Sequence, residues 1–293
     1  MAVKTILARV LFAGALAMGT FGGAQAQDAD HPKDKKLTVG LDIGYAPWAM
    51  RAPDGTVEGF QVDMLNEIAR RVGRPGVEFI DANFSAIFAG LFAKRYEMIG
   101  SPIAITKERA EQMAFTESWR TGGNAFTTLL NEPDITAPEM LKGKVVATNS
   151  GSVADAWLTA NAEKYGFTVQ KYDKDTDAQQ AVLVGRAYAS LADLARSEYA
   201  AGLNKKTKVS PYIVAGAGAE VGLVVRKDDR AFLEQLEGAL ECMKKDGTFK
   251  KINMKWFKNE GDPNSSMNKI YPGIGPVGFP GYDPAPTFAP KCS

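Results

Sequence analysis

Short apolar stretches alternate with longer amphipathic stretches along most of the chain. KLTVGL, which begins at Lys36, has the brevity and β-branched content of a strand. In the following VDMLNEIARRVG, apolar residues recur with the spacing of one helix face, at Val62, Leu65, Ile68, Ala69 and Val72. VEFI, FSAIFAGLFAKR and YEMIGSPIAI continue the pattern as strand, helix and strand. Strands that alternate with helices in this way predict an α/β fold with parallel crossover connections.

The same alternation begins again at residue 124. The predicted strands are NAFTTLL, GKVVATNSGS with its turn, VQKYD, AYASLAD and VGLVVRKDD. The predicted helices are VADAWLTANAEKYG, TDAQQAVLVGR, AFLEQLEGALECMKKDG and FKKINMKWF, and glycines at positions 247 and 261 follow the last two. The restart indicates two α/β units, and a chain of 293 residues is long enough to form both.

The N-terminus has the pattern of an export signal. Lys4 and Arg9 precede an apolar run, VLFAGALAMG, and residues 24–26 form an A-x-A cleavage site. This run is too short to span a bilayer, and no later stretch is long and apolar enough to do so. We therefore predict that residues 1–26 are a signal peptide and that the mature chain is a soluble periplasmic protein.

Composition and charge exclude several kinds of partner and catalyst. A formal net charge of +1 provides no basic surface for nucleic acid. The single histidine, His31, lies in the polar segment QDADHPKDKK, so neither a serine–histidine pair nor a histidine zinc cluster is available. The run GAGAEVG precedes a strand, whereas a dinucleotide-binding glycine loop opens a helix. We predict no nucleic-acid partner, no metal and no cofactor.

The two cysteines stand far apart in the sequence, Cys242 in a predicted helix and Cys292 beside the C-terminus. Because export leads to an oxidising compartment, we expect them to form a disulfide bond. Residues 263–293 are rich in proline and glycine, which favour neither regular helix nor central strand. We therefore expect an extended tail that lies on the body of the protein and is tied there by Cys292.

Four features place candidate ligand-binding residues at the ends of predicted strands, where open α/β sheets bind ligands. They are the aromatic loop LDIGYAPWAM with Asp42, Tyr45 and Trp48, the Arg109 that follows a strand, the Gly151-Ser152 turn that opens a helix, and Asp193 at a strand end. A helix N-terminus with free N–H groups favours anions. Each feature alone also has a structural explanation, since aromatic residues pack locally, arginines are solvated, and serine and aspartate cap helices.

Taken together, the motifs EGFQVDM, AITKERAEQMAFTES and DGT…KWF resemble those of the polar amino-acid-binding members of the periplasmic solute-binding proteins, family 3. The resemblance extends from Lys36 to Lys258. It implies a type II periplasmic-binding-protein fold, in which two α/β lobes are joined by two hinge strands and enclose a ligand cleft. It places lobe 1 at residues 36–120 and 222–262, and lobe 2 at residues 124–217.

The resemblance also implies a role for each candidate residue. Arg109 would grip the α-carboxylate of the ligand, with backbone donors from Gly151 and Ser152, and Asp193 would take the ammonium. Tyr45 and Trp48 would stack on the ligand side chain, and Asp42 would meet a cationic one. These roles agree with physical chemistry, because a zwitterion that leaves water needs each charge paired and the arginine fork fits a carboxylate.

The chain departs from the family pattern near the expected ammonium site. Pro102, Ile103 and Ala104 precede the IT pair where serine or threonine is common, so that only Ser101 remains as a polar ligand contact. Tyr188 replaces the aspartate of the GR-x-D-A motif, and Val153 follows the Gly-Ser turn. These departures leave the identity of the ligand open.

The sequence thus predicts a monomeric, non-catalytic protein that captures a polar or basic amino acid for an ABC-type membrane permease. Two alternatives remain open. One is an enzyme on the same fold, such as an exported cyclohexadienyl dehydratase, which would need a general acid of the type of Glu58, Glu117 or Asp42. The other is an interaction module for a sensor or a redox enzyme, which the unusual tail suggests.

Overall fold

The computed structural model describes residues 31–214, 220–284, 290 and 292. The predicted signal peptide and most of the run GAGAEVG lie outside these residues. Within the described ranges, no helix is long and apolar enough to cross a membrane.

The secondary structure alternates between strand and helix as the sequence predicts. The strands are β1 (Leu37–Leu41), β2 (Met50–Arg51), β3 (Val57–Glu58), β4 (Val77–Asp81), β5 (Met98–Ala104), β6 (Met113–Phe115), β7 (Arg120–Thr121), β8 (Asn124–Leu129), β9 (Val145–Asn149), β10 (Thr168–Tyr172), β11 (Ala189–Asp193), β12 (Thr207–Val214) and β13 (Glu220–Arg226). The helices are α1 (Phe60–Arg71), α2 (Phe84–Phe92), α3 (Lys107–Gln112), α4 (Val153–Tyr165), α5 (Asp175–Leu183), α6 (Leu194–Asn204), α7 (Arg230–Lys245) and α8 (Thr248–Phe257), with a short 3-10 helix at Pro138–Leu141. The sequence analysis assigned no element to the stretch that forms α6 and β12.

Two separate sheets form the framework. The first has the strand order β4-β1-β5-β13-β6, with β7 also paired to β13, and the second has the order β10-β9-β11-β8-β12. Within each sheet, successive strands that are connected by a helix run parallel to one another. The strand that enters each sheet after a crossing, β8 or β13, pairs antiparallel with its neighbour. The strands β2 and β3 form a small hairpin of their own. This arrangement confirms the predicted α/β class.

The chain crosses between the sheets twice. The first crossing joins β7 to β8 through Gly122 and Gly123, and the second joins β12 to β13. We propose that these crossings are the hinge and that they divide the chain into the two lobes at the boundaries given above.

Each sheet is covered by helices that bury their apolar faces. In the first lobe α1, α7 and α8 pack on one face, and α2 and α3 pack with the residues of the other face. Leu65 and Ile68 of α1, on the helix face predicted from their spacing, are fully buried. In the second lobe Phe126 and Leu158 belong to one core cluster, while α5 contributes to a smaller one. Because helices cover both faces of each sheet, the ends of its strands are the part that remains uncovered.

The C-terminal segment, residues 263–284, lies against the first lobe. Met267 and Ile274 are buried in the main core cluster of that lobe. The Nζ atom of Lys244 on α7 donates hydrogen bonds to the carbonyl of Lys269 at 2.8 Å and to that of Ser118 at 2.8 Å. The Cys242–Cys292 disulfide, with an S–S distance of 2.00 Å, confirms the predicted pairing and anchors the end of the segment to α7.

The single histidine ties the start of the described chain to the first lobe. His31 is buried between two carboxylates, with Nδ1 2.7 Å from Oε1 of Glu97 and Nε2 2.6 Å from Oδ2 of Asp229. Burial by itself lowers the pKa of His31, but the hydrogen bonds and charges of Asp229 and Glu97 outweigh it and raise the pKa from 6.5 to about 9.

We therefore expect the His31 imidazole to titrate near pH 9 in the folded protein. Because the pKa is raised on folding, the stabilisation is complete below about pH 6.5 and disappears as the pH rises through about 9. NMR of tag-free protein measures this directly, since one histidine gives one set of ring signals. The urea-unfolded protein should titrate near the ordinary value, and a folded-state midpoint equal to it would contradict the two-carboxylate arrangement.

Candidate ligand-binding cleft

A cavity lies between the two lobes, where strands of both sheets end. About 600 Å³ of space that protein atoms do not fill, including open solvent, lies within it. The first lobe and the crossing region contribute Tyr45, Phe84, Pro102, Ala104, Arg109, Arg120, Gly123 and Val221, and the second lobe contributes Asn124, Asn149, Ser152, Val153, Ala154, Asp175, Leu191, Ala192 and Asp193. The cavity therefore has the position that open α/β sheets favour for ligands.

Arg109 lines this cavity and reaches from one lobe to the other. It lies in α3, whose N-cap Thr106 accepts a hydrogen bond from the Arg109 backbone N–H. Its Nη1 donates to the carbonyl of Ala104 at 2.9 Å, and its Nη2 donates across the cleft to the carbonyl of Gly151 at 3.0 Å. Among the described residues no carboxylate forms an ion pair with it. Burial lowers the pKa of Arg109 to about 10, with the exposed Glu108 acting in the opposite direction, so the side chain remains a cation at neutral pH.

The Gly-Ser turn differs in detail from its predicted role. Gly151 has a φ of +75°, and its N–H donates to Oδ2 of Asp155 at 3.0 Å, so this group is not available as the predicted ligand donor. The Ser152 hydroxyl caps α4 by accepting from the Asp155 N–H at 3.0 Å. Ser152, Val153 and Ala154 line the cavity, so that the N-terminus of α4 is the part of this turn which an anion can reach.

Of the two predicted aromatic contacts, only Tyr45 lines the cavity. Trp48 is 1% exposed and packs against Phe60, Trp119 and Phe257 in the core of the first lobe, which corrects its predicted role. The second aromatic wall is instead Phe84, the first residue of α2. The sequence signal for Phe84 was its place at the start of the helix that follows a predicted strand, at the same sheet edge as the aromatic loop.

Asp193 lines the cavity but both of its carboxylate oxygens have partners. Oδ1 caps α6 by accepting from the Arg196 N–H at 3.0 Å, and Oδ2 forms an ion pair with Nη1 of Arg120 at 2.8 Å. The predicted contact of Asp193 with the ligand ammonium would therefore be shared with Arg120 and with the N-terminus of α6. The side chain keeps 16% of its surface exposed, so its remaining lone pairs can still be reached.

Asp42 and Ser101 are buried behind the cavity and do not line it, contrary to prediction. The backbone N–H of Asp42 donates to the Ser101 hydroxyl at 2.9 Å, which fixes the end of β1 to β5. Burial raises the pKa of Asp42 to about 6, although the nearby Lys174 acts in the opposite direction. A cationic ligand side chain would therefore not meet Asp42 in this arrangement.

Sequence analysis missed three charged residues at the cleft: Arg120, Asp175 and Arg196. Asp175 lines the cavity, and its Oδ2 is 3.1 Å from Nε of the buried Arg196. The Arg196 guanidinium lies 5.8 Å from the centre of the Tyr45 ring in the other lobe. Asp175 begins the helix that follows a predicted strand, which is the same kind of signal that singled out Asp193.

Polar contacts between the lobes close the cleft. Besides Arg109–Gly151 and Arg120–Asp193, the Ser85 hydroxyl donates to Asp173 at 3.2 Å, and Lys174 lies 4.0 Å from Asp81. The structure therefore represents a closed arrangement of the two lobes.

The carboxyl groups considered for an enzymatic acid are not at this cavity. Glu58 is exposed on β3, and Glu117 is buried beside the C-terminal segment, where it forms an ion pair with Lys244 at 2.7 Å. In the described part of the chain, no group of three or more histidine, cysteine, aspartate or glutamate residues is arranged to hold a metal ion.

Two α/β sheets joined by two crossings, with a charged cavity between them, define a type II periplasmic-binding-protein fold. The model of the family "Bacterial extracellular solute-binding proteins, family 3" matches residues 37–259. The chain belongs to this family, which confirms the resemblance found in the sequence and implies an extracytoplasmic protein.

Named relatives of this chain bind amino acids. The L-cystine-binding protein TcyJ of Escherichia coli (strain K12) is 30% identical over 224 residues, which cover 75% of this chain and 82% of that protein. A solved structure of an ancestral arginine-binding protein bound to arginine is 30% identical, with a TM-score of 0.73 over 77% of this chain and 99% of that one. The ancestral amino acid-binding protein AncCDT-1, a precursor of cyclohexadienyl dehydratase, is 26% identical, with a TM-score of 0.71 over 79% and 99% of the two chains.

Proposed function

We propose that this protein captures an amino acid in the cleft between its lobes and presents it to an ABC-type permease. The observation that carries the proposal is Arg109, a half-buried guanidinium that lines the cavity and forms no ion pair with a carboxylate of the described residues. A partly desolvated cation of this kind is stabilised when a ligand brings a carboxylate to it. The amino-acid ligands named for TcyJ and for the ancestral protein support the same ligand class.

The ligand carboxylate would bind Arg109 and the N-terminus of α4. The guanidinium presents a fork of donors to a carboxylate, and the first N–H groups of α4 add a favourable dipole. Tyr45 and Phe84 would cover the ligand side chain, and the ammonium would lie at the exposed part of Asp193. Because Arg109 and Asp193 belong to different lobes, a ligand that binds both stabilises the closed arrangement through its differential contacts.

Delivery to a permease, a monomeric state and export by the N-terminal segment are parts of the same proposal. Binding without catalysis is also part of it. Glu58, Glu117 and Asp42 do not line the cavity, and the aspartates that do line it, Asp175 and Asp193, are each paired with an arginine. In this arrangement each of these aspartates has an arginine partner, although burial raises the pKa of Asp175 against the opposing charge of Arg196.

Calorimetry of the protein with each of the common amino acids tests this proposal. The sample is first unfolded, dialysed and refolded so that any ligand carried through purification is removed and can be identified by mass spectrometry. We expect saturable one-to-one binding of at least one amino acid and no turnover of prephenate or arogenate. Absence of binding to every amino acid, or measurable turnover, would overturn the proposal.

A further inference from the structure

Arg120 is a second arginine in the cleft, and three neighbours hold it in place. It is 9% exposed, its guanidinium lies 4.5 Å from the centre of the Trp48 ring, and its Nη1 bonds to Asp193. A side chain at Gly122 would come within 2.7 Å of Nη1, so this position leaves room for the guanidinium. The cation is therefore a fixed part of the cavity wall rather than a mobile surface charge.

The charges that line the cavity do not cancel. Four side chains that can carry a charge line it, namely Arg109, Arg120, Asp175 and Asp193. Asp175 is paired with Arg196 and Asp193 with Arg120, so among the described lining groups Arg109 is the one that forms no ion pair. Asp42 lies outside the lining. A ligand that completes this balance carries one net negative charge.

We propose that Arg120 makes the cleft selective for a carboxylate ligand of net charge −1 and excludes cationic amino acids. This inference rests on the proposed function and specifies the ligand class of that site. It replaces the polar or basic ligand expected from the sequence. L-Cystine and L-arginine, which the relatives are named for, differ in net charge, so the relatives leave the ligand charge open.

Arg120 can serve Asp193 and a ligand at the same time. A guanidinium has five N–H donors, and one of them is used on Asp193. An acidic amino acid would place its α-carboxylate on Arg109, its ammonium beside Asp193 and its side-chain carboxylate on Arg120. A monocarboxylate without an ammonium would bind Arg109 and leave the Arg120–Asp193 pair intact.

A basic amino acid has no comparable arrangement. Its side-chain cation would lie in a partly desolvated cavity that already holds two guanidinium groups, where like charges repel strongly.

The decisive comparison is between L-glutamate and L-glutamine, which match in shape and differ by one charge. Calorimetry of the wild-type protein should give tighter binding of L-glutamate or L-aspartate than of L-glutamine by about 10-fold or more, and no measurable binding of L-arginine. Butanoate, a monoanion without an ammonium, forms a further arm that separates an acidic amino acid from a simple carboxylate. Tight binding of either anion supports the proposal.

Variants at position 120 assign the selectivity to this residue. Arg120→Gln keeps a donor for Asp193 but removes the charge, and should reduce the glutamate preference by about 10-fold or more. If butanoate proves to be the tight-binding anion, the affinity of Arg120→Gln for butanoate should fall instead. Arg120→Lys keeps the charge and should keep the preference. The matched control is Arg95→Gln, which removes an exposed positive charge outside the cavity lining. It should change the affinity for neither ligand.

Two results would overturn the proposal while leaving the proposed function standing. They are tighter binding of L-arginine or L-glutamine than of both anions, and an Arg120→Gln variant with unchanged selectivity. If Arg120→Gln does not fold, Gly122→Ala presses on the guanidinium without changing any charge and should weaken the same selectivity. Failure of the wild-type protein to bind any amino acid or butanoate would overturn the proposed function together with this inference.

Discussion

Replacing Arg109 with methionine should reduce the affinity for the ligand at least ~30-fold, because truncating one side of a buried, hydrogen-bonded charge pair costs about 2–5 kcal/mol. Methionine keeps much of the apolar stem that lies near the Phe88 ring, but it offers no donor to a carboxylate. The variant would lose the cation that lines the cavity and with it the proposed carboxylate contact. Calorimetry with the best-binding amino acid measures the loss.

Two controls separate ligand capture from folding. Arg109→Lys keeps the charge but not the two-pronged fork, so its affinity for the ligand should lie between that of the wild type and that of Arg109→Met. The free energies of unfolding without ligand should be nearly equal, since the Arg109 side chain bonds only to the carbonyls of Ala104 and Gly151 among the described residues. An Arg109→Met variant that binds as tightly as the wild type would refute the carboxylate role of this residue.

The second large effect is expected at Lys244, which does not line the cleft. Its Nζ lies 2.7 Å from Oε1 of Glu117 and also donates to two carbonyls, one of them in the C-terminal segment. Both charged side chains are almost completely buried. Lys244→Met would leave Glu117 buried without a cation, which typically costs about 3–5 kcal/mol. Urea unfolding followed by circular dichroism measures this loss.

The neighbouring lysine supplies a matched control for this effect. Lys245 is 47% exposed and pairs with Glu241 on the same helix at 3.3 Å, so Lys245→Met should cost less than about 1 kcal/mol. The double variant Glu117→Gln, Lys244→Met removes both charges and should recover part of the lost stability. Equal stability of the two single lysine variants would show that the buried pair does not hold the C-terminal segment in place.

Periodicity was sufficient to predict most of the framework. The helix face of Leu65 and Ile68 and the alternation of strands with helices follow from local spacing, because burial of one helix face imposes a repeat on the sequence itself. The disulfide was also predictable, since an exported chain with two cysteines offers one pairing. Arg109 was singled out because the strand before it and the helix around it place it at a sheet edge.

Side-chain partners inside the cleft were not predictable in the same way. Trp48 and Tyr45 occupy the same loop, yet one is buried in the core and the other lines the cavity. Nothing in the local pattern distinguishes them, because the difference comes from Phe60, Trp119 and Phe257, which pack around Trp48 from distant parts of the chain.

The sequence by itself therefore determined the α/β class, the two units and the disulfide, and it predicted the strand ends at which a ligand would bind. These properties depend on local periodicity, export and residue chemistry. Only the tertiary structure decided which charges meet, as in the ion pair between Arg120 and Asp193, which stand 73 residues apart. Such a pair forms because two lobes close on each other, and that geometry leaves no periodic trace in the order of the residues.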